Sequence, residues 1–120
     1  MTKGWRQAGF VRRPGLTRRW TVSAACEALH KALPRKRQAG AAWLADHDAA
    51  LVGIDALNID DTADGRRPAH TLLLAAGIPV IEHLTGLGQL PPTGAWFTAV
   101  PLRIEKLGTI PVRAFARLPG

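Results

Sequence analysis

The chain has 120 residues, a formal net charge of +7 and a single cysteine. One cysteine excludes an internal disulfide and a cysteine-based metal cluster, and no apolar run approaches the roughly eighteen residues of a membrane span. The length allows one modest core, so a cytoplasmic unit with no membrane partner is expected.

Charge divides the chain. Residues 1–38 hold ten Lys or Arg against one acid, Glu27, whereas residues 39–120 hold six basic and eight acidic residues. The sequence therefore separates into a basic N-terminal segment, 1–38, and a remainder, 39–120. The first segment, with Trp5, Phe10 and Trp20 among its cations, admits three readings. It could be a nucleic-acid arm, its cations on phosphates and its aromatics stacked on bases. It could be a transit peptide, although one serine, Ser23, is few for that. Or a displaced start sets a non-native, poorly ordered stretch ahead of a genuine domain, which is the reading we favour. Within it Val22, Ala25, Cys26, Leu29 and Leu33 share a helical face. Thr21 to Leu33 is expected to form a helix ended by Pro34, with Cys26 a small core-facing residue.

Ala39 to His47 predicts a helix with Trp43 and Leu44 turned inward. Ala50 to Ile54 predicts a buried strand. The loop Asp55 to Arg67 carries Asp55, Asn58, Asp60, Asp61 and Asp64, residue types that satisfy tight turns. Its D-x-T-x-D-G run from Asp60 imitates the start of a calcium loop. The twelfth position is Thr71, where a bidentate Glu is required, so an EF-hand is rejected. A role for this loop in lining a pocket stays open.

The most informative stretch is Pro68 to His83. Pro68 suits the first turn of a helix, His70 to Ala76 favours one, and Gly77 is a natural stop. Ile78 to Ile81 then reads as a short buried strand with Pro79 near its start. About seven helical residues carry the chain roughly 10 Å out, and four or five extended ones return it by about 13–16 Å. A reversal at Gly77 thus brings His70 and Glu82 to one end of the unit. An imidazole and a carboxylate suit zinc or another first-row divalent ion. The bland alternative is a surface His and a solvated Glu.

Beyond this, Leu84 to Leu90 reads as irregular and Pro91 to Gly94 as a turn. Ala95 to Ile104 predicts a long strand interrupted at Pro101, on an edge or at a bulge. Ile110 to Leu118 predicts a final strand, in which Val112, Ala114 and Ala116 alternate with Arg113, Phe115 and Arg117 to give one packed and one open face.

From Ala39 to Ala116 the sequence resembles the cyclase family that includes the bacterial-type kynurenine formamidases. The likeness lies in A-L-V-G-I-D (Ala50 to Asp55), the Asp-rich loop, H-T-L-L with G-I-P-V-I-E-H-L (His70 to Leu84), A-V-P-L-R-I (Ala99 to Ile104) and G-T-I-P-V-R-A-F-A (Gly108 to Ala116). The resemblance implies an α/β fold, part of a swivelling β/β/α domain with a small mixed sheet and two or three helices. It implies that His70 and Glu82 ligate a divalent metal, zinc foremost or manganese. It also implies a small-molecule amide substrate, with N-formylkynurenine hydrolysis in tryptophan catabolism as the example. The family's H-x-G-T-H-x-D-x-P-x-H motif, which supplies most ligands and the catalytic His, does not occur here. The remaining histidines, His30, His47 and His83, stand in no such setting.

The expectation is therefore a fragment of a metal-dependent amide hydrolase with an incomplete ligand set and little activity alone, exposing strand edges that favour a homo-oligomer. Two alternatives stay in view. One is a binding protein whose basic arm engages nucleic acid or an acidic partner. The other is a structural fragment that associates with a full-length relative.

Overall fold

Six strands and two helices build a mixed α/β unit, described in this computed structural model for residues 8–12, 19–22, 26, 29 and 34–120. The strands are β1 (Ala8–Arg12), β2 (Arg19–Thr21), β3 (Ala49–Ile54), β4 (Val80–Ile81), β5 (Thr93–Pro101) and β6 (Val112–Arg117). The helices are α1 (Pro34–Asp46) and α2 (Pro68–Ala75), with a 3-10 turn at Leu87–Gln89. The sheet order is β4-β3-β1-β2-β5-β6. Only β3 and β4 run parallel, joined by α2 as a βαβ crossover.

Alternation along the strands makes two cores, one on each face of the sheet. Phe10 and Val52 are register partners and face the helices, where Ala41, Leu44, Ala69 and Leu73 pack on them. Leu29 and Cys26 close this core. Cys26 is buried, as its small apolar character implies. Val11 and Leu51, also partners, point to the opposite face. There Trp20 stacks on Phe97 with ring centroids 4.7 Å apart, and Leu87 covers them. The indole fits because the paired glycines Gly9 and Gly53 offer no Cβ beneath it.

Several predicted boundaries move. Thr21 lies in β2 and Val22 is exposed, so no helix begins at Thr21. Most of the predicted 21–33 helix lies outside the described residues. Pro34 opens α1, in the first-turn position where its missing N–H costs nothing. The helix predicted over Ala39 to His47 is thus longer at its start, and Leu44 is fully buried while Trp43 meets Phe10 edge-on.

Strands from the basic segment enter the sheet: β1 pairs with β3, and β2 with β5. Phe10 and Trp20 are each only 1% exposed. They cannot stack on bases, which removes two of the three aromatics from the nucleic-acid-arm reading. Trp5, Lys3, Arg6, Arg13, Arg18 and Lys31 lie outside the described residues. No helix among the described residues is long and apolar enough to cross a membrane.

Candidate functional site

The site stands at the carboxyl end of the parallel pair β3–β4, where open α/β sheets place their ligand crevices. Three local structures deliver its side chains. The first is the loop after β3. Asn58 Oδ1 accepts from the Asp60 amide at 2.9 Å, Asp61 Oδ1 from Ala63 at 2.9 Å and Asp64 Oδ1 from Arg66 at 3.0 Å. This is the turn chemistry expected of Asx residues. Arg66 also bridges Asp64 at 3.0 Å, and these hydrogen bonds hold the Asp64 carboxyl below its usual range.

The second is α2. Its N-terminal boundary residue, Arg67, has φ of 47° and makes no side-chain cap. Asp60 provides the cap from across the loop: Oδ1 accepts from Ala69 N at 2.8 Å and Oδ2 from His70 N at 2.9 Å. The helix ends as expected at Gly77, φ 72°. Gly77 N bonds Leu74 O at 3.0 Å and Ile78 N bonds Leu73 O at 2.9 Å. That pair of bonds is a Schellman stop, and it reverses the chain toward β4.

The third is β4 and the residues after it. The strand is two residues long rather than the four predicted, because Ile78 is spent on the helix stop and Pro79 has no N–H to give a ladder. Glu82 follows directly, and His83 adopts φ of 60° while its amide bonds Ala56 O at 2.9 Å.

His70 and Glu82 meet: His70 Nε2 lies 2.9 Å from Glu82 Oε1. On the other edge of the ring, His70 Nδ1 lies 2.8 Å from Asp60 Oδ2. The Ile59 amide donates to Glu82 Oε1 at 3.1 Å and sets that carboxylate's orientation. The Asp60 side chain is 1% exposed, that of His70 14% and that of Glu82 21%. Access thus increases from Asp60 toward Glu82. Nη2 of Arg67 sits 3.4 and 3.3 Å from the two ring nitrogens, so the guanidinium lies across the imidazole.

The donor chemistry suits one divalent ion in part. Ligand bonds of about 2.0–2.2 Å set at right angles place an imidazole nitrogen and a carboxylate oxygen roughly 2.9 Å apart, which is the separation here. Asp60 is not a third donor, because both its oxygens are taken by N–H groups. Among the described residues no group of three His, Cys, Asp or Glu could hold a metal. The other histidines stay apart, and His47 stacks on Trp43 with its Nδ1 2.7 Å from Trp43 O.

Asp60 is the residue that sequence reading missed, since the Asp-rich loop reads as turns throughout. The available signal was Arg67-Pro68 at the start of α2, a start with no Ser, Thr, Asp or Asn at the capping position. A separate cavity of about 410 Å³, lined by Leu84, Leu87, Leu90, Phe97, Phe115 and Leu118 among others, includes neither His70 nor Glu82.

A βαβ unit carrying paired polar groups at its carboxyl end, within a small mixed sheet, is a cyclase-like α/β hydrolase architecture. A solved structure described as a potential metal-dependent hydrolase with cyclase activity matches 68% of the chain at 33% identity, with a TM-score of 0.58. The chain covers 41% of that structure. The kynurenine formamidase of Paracidovorax citrulli is 34% identical over 77 residues, and that of Salinibacter ruber 40% identical over 74 residues. These spans are 64% and 62% of this chain and 35% and 34% of the relatives, so the chain spans about a third of their length. No family model matches. Over roughly two thirds of its residues the chain is a partial match to the kynurenine formamidase and cyclase-like metal-dependent hydrolase family.

Proposed function

We propose that this chain is part of a metal-dependent hydrolase of linear amides, similar to kynurenine formamidase, and that His70 and Glu82 hold its divalent ion. The observation that carries this reading is the 2.9 Å approach of His70 Nε2 to Glu82 Oε1 at the carboxyl end of the β3–β4 pair. Zinc is the ion that best suits one imidazole and one carboxylate, with manganese the second choice. Such an ion supplies a bound water of lowered pKa and polarises the substrate carbonyl.

The chain's own residues do the rest of the holding. Glu82 is kept in place by the Ile59 amide, and His70 by the cap at the start of α2. The substrate proposed from the relatives' names is an N-formyl arylamine such as N-formylkynurenine, cleaved to formate and the free amine. A related cyclase activity is the runner-up. Two protein ligands leave an ion weakly held and open, so these 120 residues are expected to turn over little substrate by themselves.

The test is calorimetric titration of zinc into the purified chain and into its His70→Ala and Glu82→Ala variants. Binding in the parent and its loss in both variants is the expected result. Equal binding by all three, or none by the parent, removes the reading. Metal-dependent hydrolysis of N-formylkynurenine by the chain, abolished by His70→Ala, would support the activity and overturn the expectation that it is slight.

A further inference from the structure

We propose that Asp60 is the positioning residue of this site, fixing the plane and the tautomer of His70 so that Nε2 presents its lone pair beside Glu82. The part of this that concerns an ion rests on the metal-holding reading above.

The argument begins with what Asp60 can do where it lies. Its side chain is 1% exposed, and a buried carboxylate is tolerated only when N–H groups surround it. Three do: Ala69 N at 2.8 Å on Oδ1, and His70 N and Nδ1 at 2.9 and 2.8 Å on Oδ2. Both oxygens already accept backbone N–H groups, so the carboxylate faces the ring as an acceptor. His70 Nδ1 must then be the donor. In a neutral ring that leaves Nε2 unprotonated, the form a cation can use.

The same oxygen holds the main chain and the side chain of one residue. Oδ2 takes the His70 amide and the His70 ring together, which leaves the ring little freedom to turn about its side-chain bonds. Arg67 across the ring face blocks motion in the remaining direction. A residue needed only to cap α2 would require the two amides alone. The contact to Nδ1 is additional, and it aims the opposite edge of the ring at Glu82.

Asp60→Asn tests this. An amide NH2 in place of Oδ2 faces the His70 amide and drives the ring proton to Nε2. In place of Oδ1 it faces the Ala69 amide instead. Either way one backbone donor loses its acceptor. The two readouts are the His70 tautomer, from long-range nitrogen–proton correlation on the metal-free full chain at a pH that leaves the ring neutral, and zinc affinity by calorimetry. The parent chain is expected to carry the proton on Nδ1. Asp60→Asn is expected to shift that pattern and to bind zinc about 10–100-fold more weakly, the usual effect of losing a group that orients a ligand.

A parent ring protonated on Nε2 overturns the proposal whatever the variant does. So does an Asp60→Asn chain that loses stability while keeping both the tautomer and the affinity, since that is the behaviour of a cap alone. If the parent binds no zinc, the metal reading fails separately, and the tautomer by itself decides whether Asp60 orients the ring.

Discussion

Gly9 and Gly53 are partners across the β1–β3 ladder, and the indole of Trp20 lies over both. A Cβ at Gly9 would overlap Trp20 Cε2 and Cζ2, and one at Gly53 would come within 2.9 Å of Trp20 Cη2 and 2.7 Å of Leu84 Cδ1. Two bare backbones thus form the slot that lets the largest side chain of this face be buried. Gly9→Ala is expected to destabilise the chain by about 1–3 kcal/mol, the usual cost of overpacking. Trp20→Leu should recover part of that loss in the double variant, because the overlap disappears with the ring. Thermal unfolding of the four chains in this cycle reads the coupling directly. Additive losses would show that the indole does not occupy the slot.

At the other end of α2, Gly77 adopts φ of 72° and closes the helix stop. An Ala there places a Cβ against the preceding carbonyl and costs roughly 1–2 kcal/mol. The site lies at the opposite end of α2, about 12 Å away for eight residues at 1.5 Å each. Gly77→Ala is therefore expected to lower the unfolding temperature while leaving zinc affinity within about twofold, as distant sites behave. A large loss of affinity would mean that the turn itself sets the approach of Glu82 to His70.

The parts of the fold legible in the sequence are those set by neighbours along the chain. The stop at Gly77 follows from a glycine after a Leu- and Ala-rich run, and the open and packed faces of β6 follow from alternation between Val112 and Arg117. The juxtaposition of His70 with Glu82 was readable because one helix and one reversal separate them. Prolines misled where their role depends on direction. Pro34 can end a helix or begin one, and here it begins α1. Pro101 ends β5 rather than interrupting it, and Ile104 N turns back to Leu102 O at 3.0 Å. What stayed hidden was non-local. The Trp20 slot needs two glycines from separate strands to pair, and Asp60 caps a helix that begins eight residues further on.

Glu82 offers a cleaner separation of charge from shape. Its Oε1 accepts the Ile59 amide at 3.1 Å, a bond that an amide oxygen can also accept. Glu82→Gln should therefore keep the loop and the unfolding temperature while removing the anionic ligand. The expected result is an unchanged amide spectrum around Ile59 with zinc affinity lowered at least about tenfold. Full retention of affinity would exclude Glu82 as a ligand even though it touches the ring.

β6 closes the sheet order, and among the described residues its outer edge carries no partner strand. Phe115 and Val100, about half exposed at 50% and 52%, lie on the open face with Arg113 and Arg117. An unpaired edge beside apolar side chains invites a second copy. Two β6 edges joined antiparallel about Phe115 would set Phe115 against its counterpart and Arg113 opposite Arg117. The apolar contact favours that dimer and the arginines oppose it. Salt screens the repulsion without weakening the burial, so association through this edge should increase with ionic strength. Sedimentation velocity at low salt and at about 0.5 M is expected to show the weight-average mass rising, where the Debye length has fallen to a few ångströms. Phe115→Lys adds a third cation to the seam and should hold the chain monomeric under both conditions. Association that weakens with salt, or that survives Phe115→Lys, would place the contact on another surface.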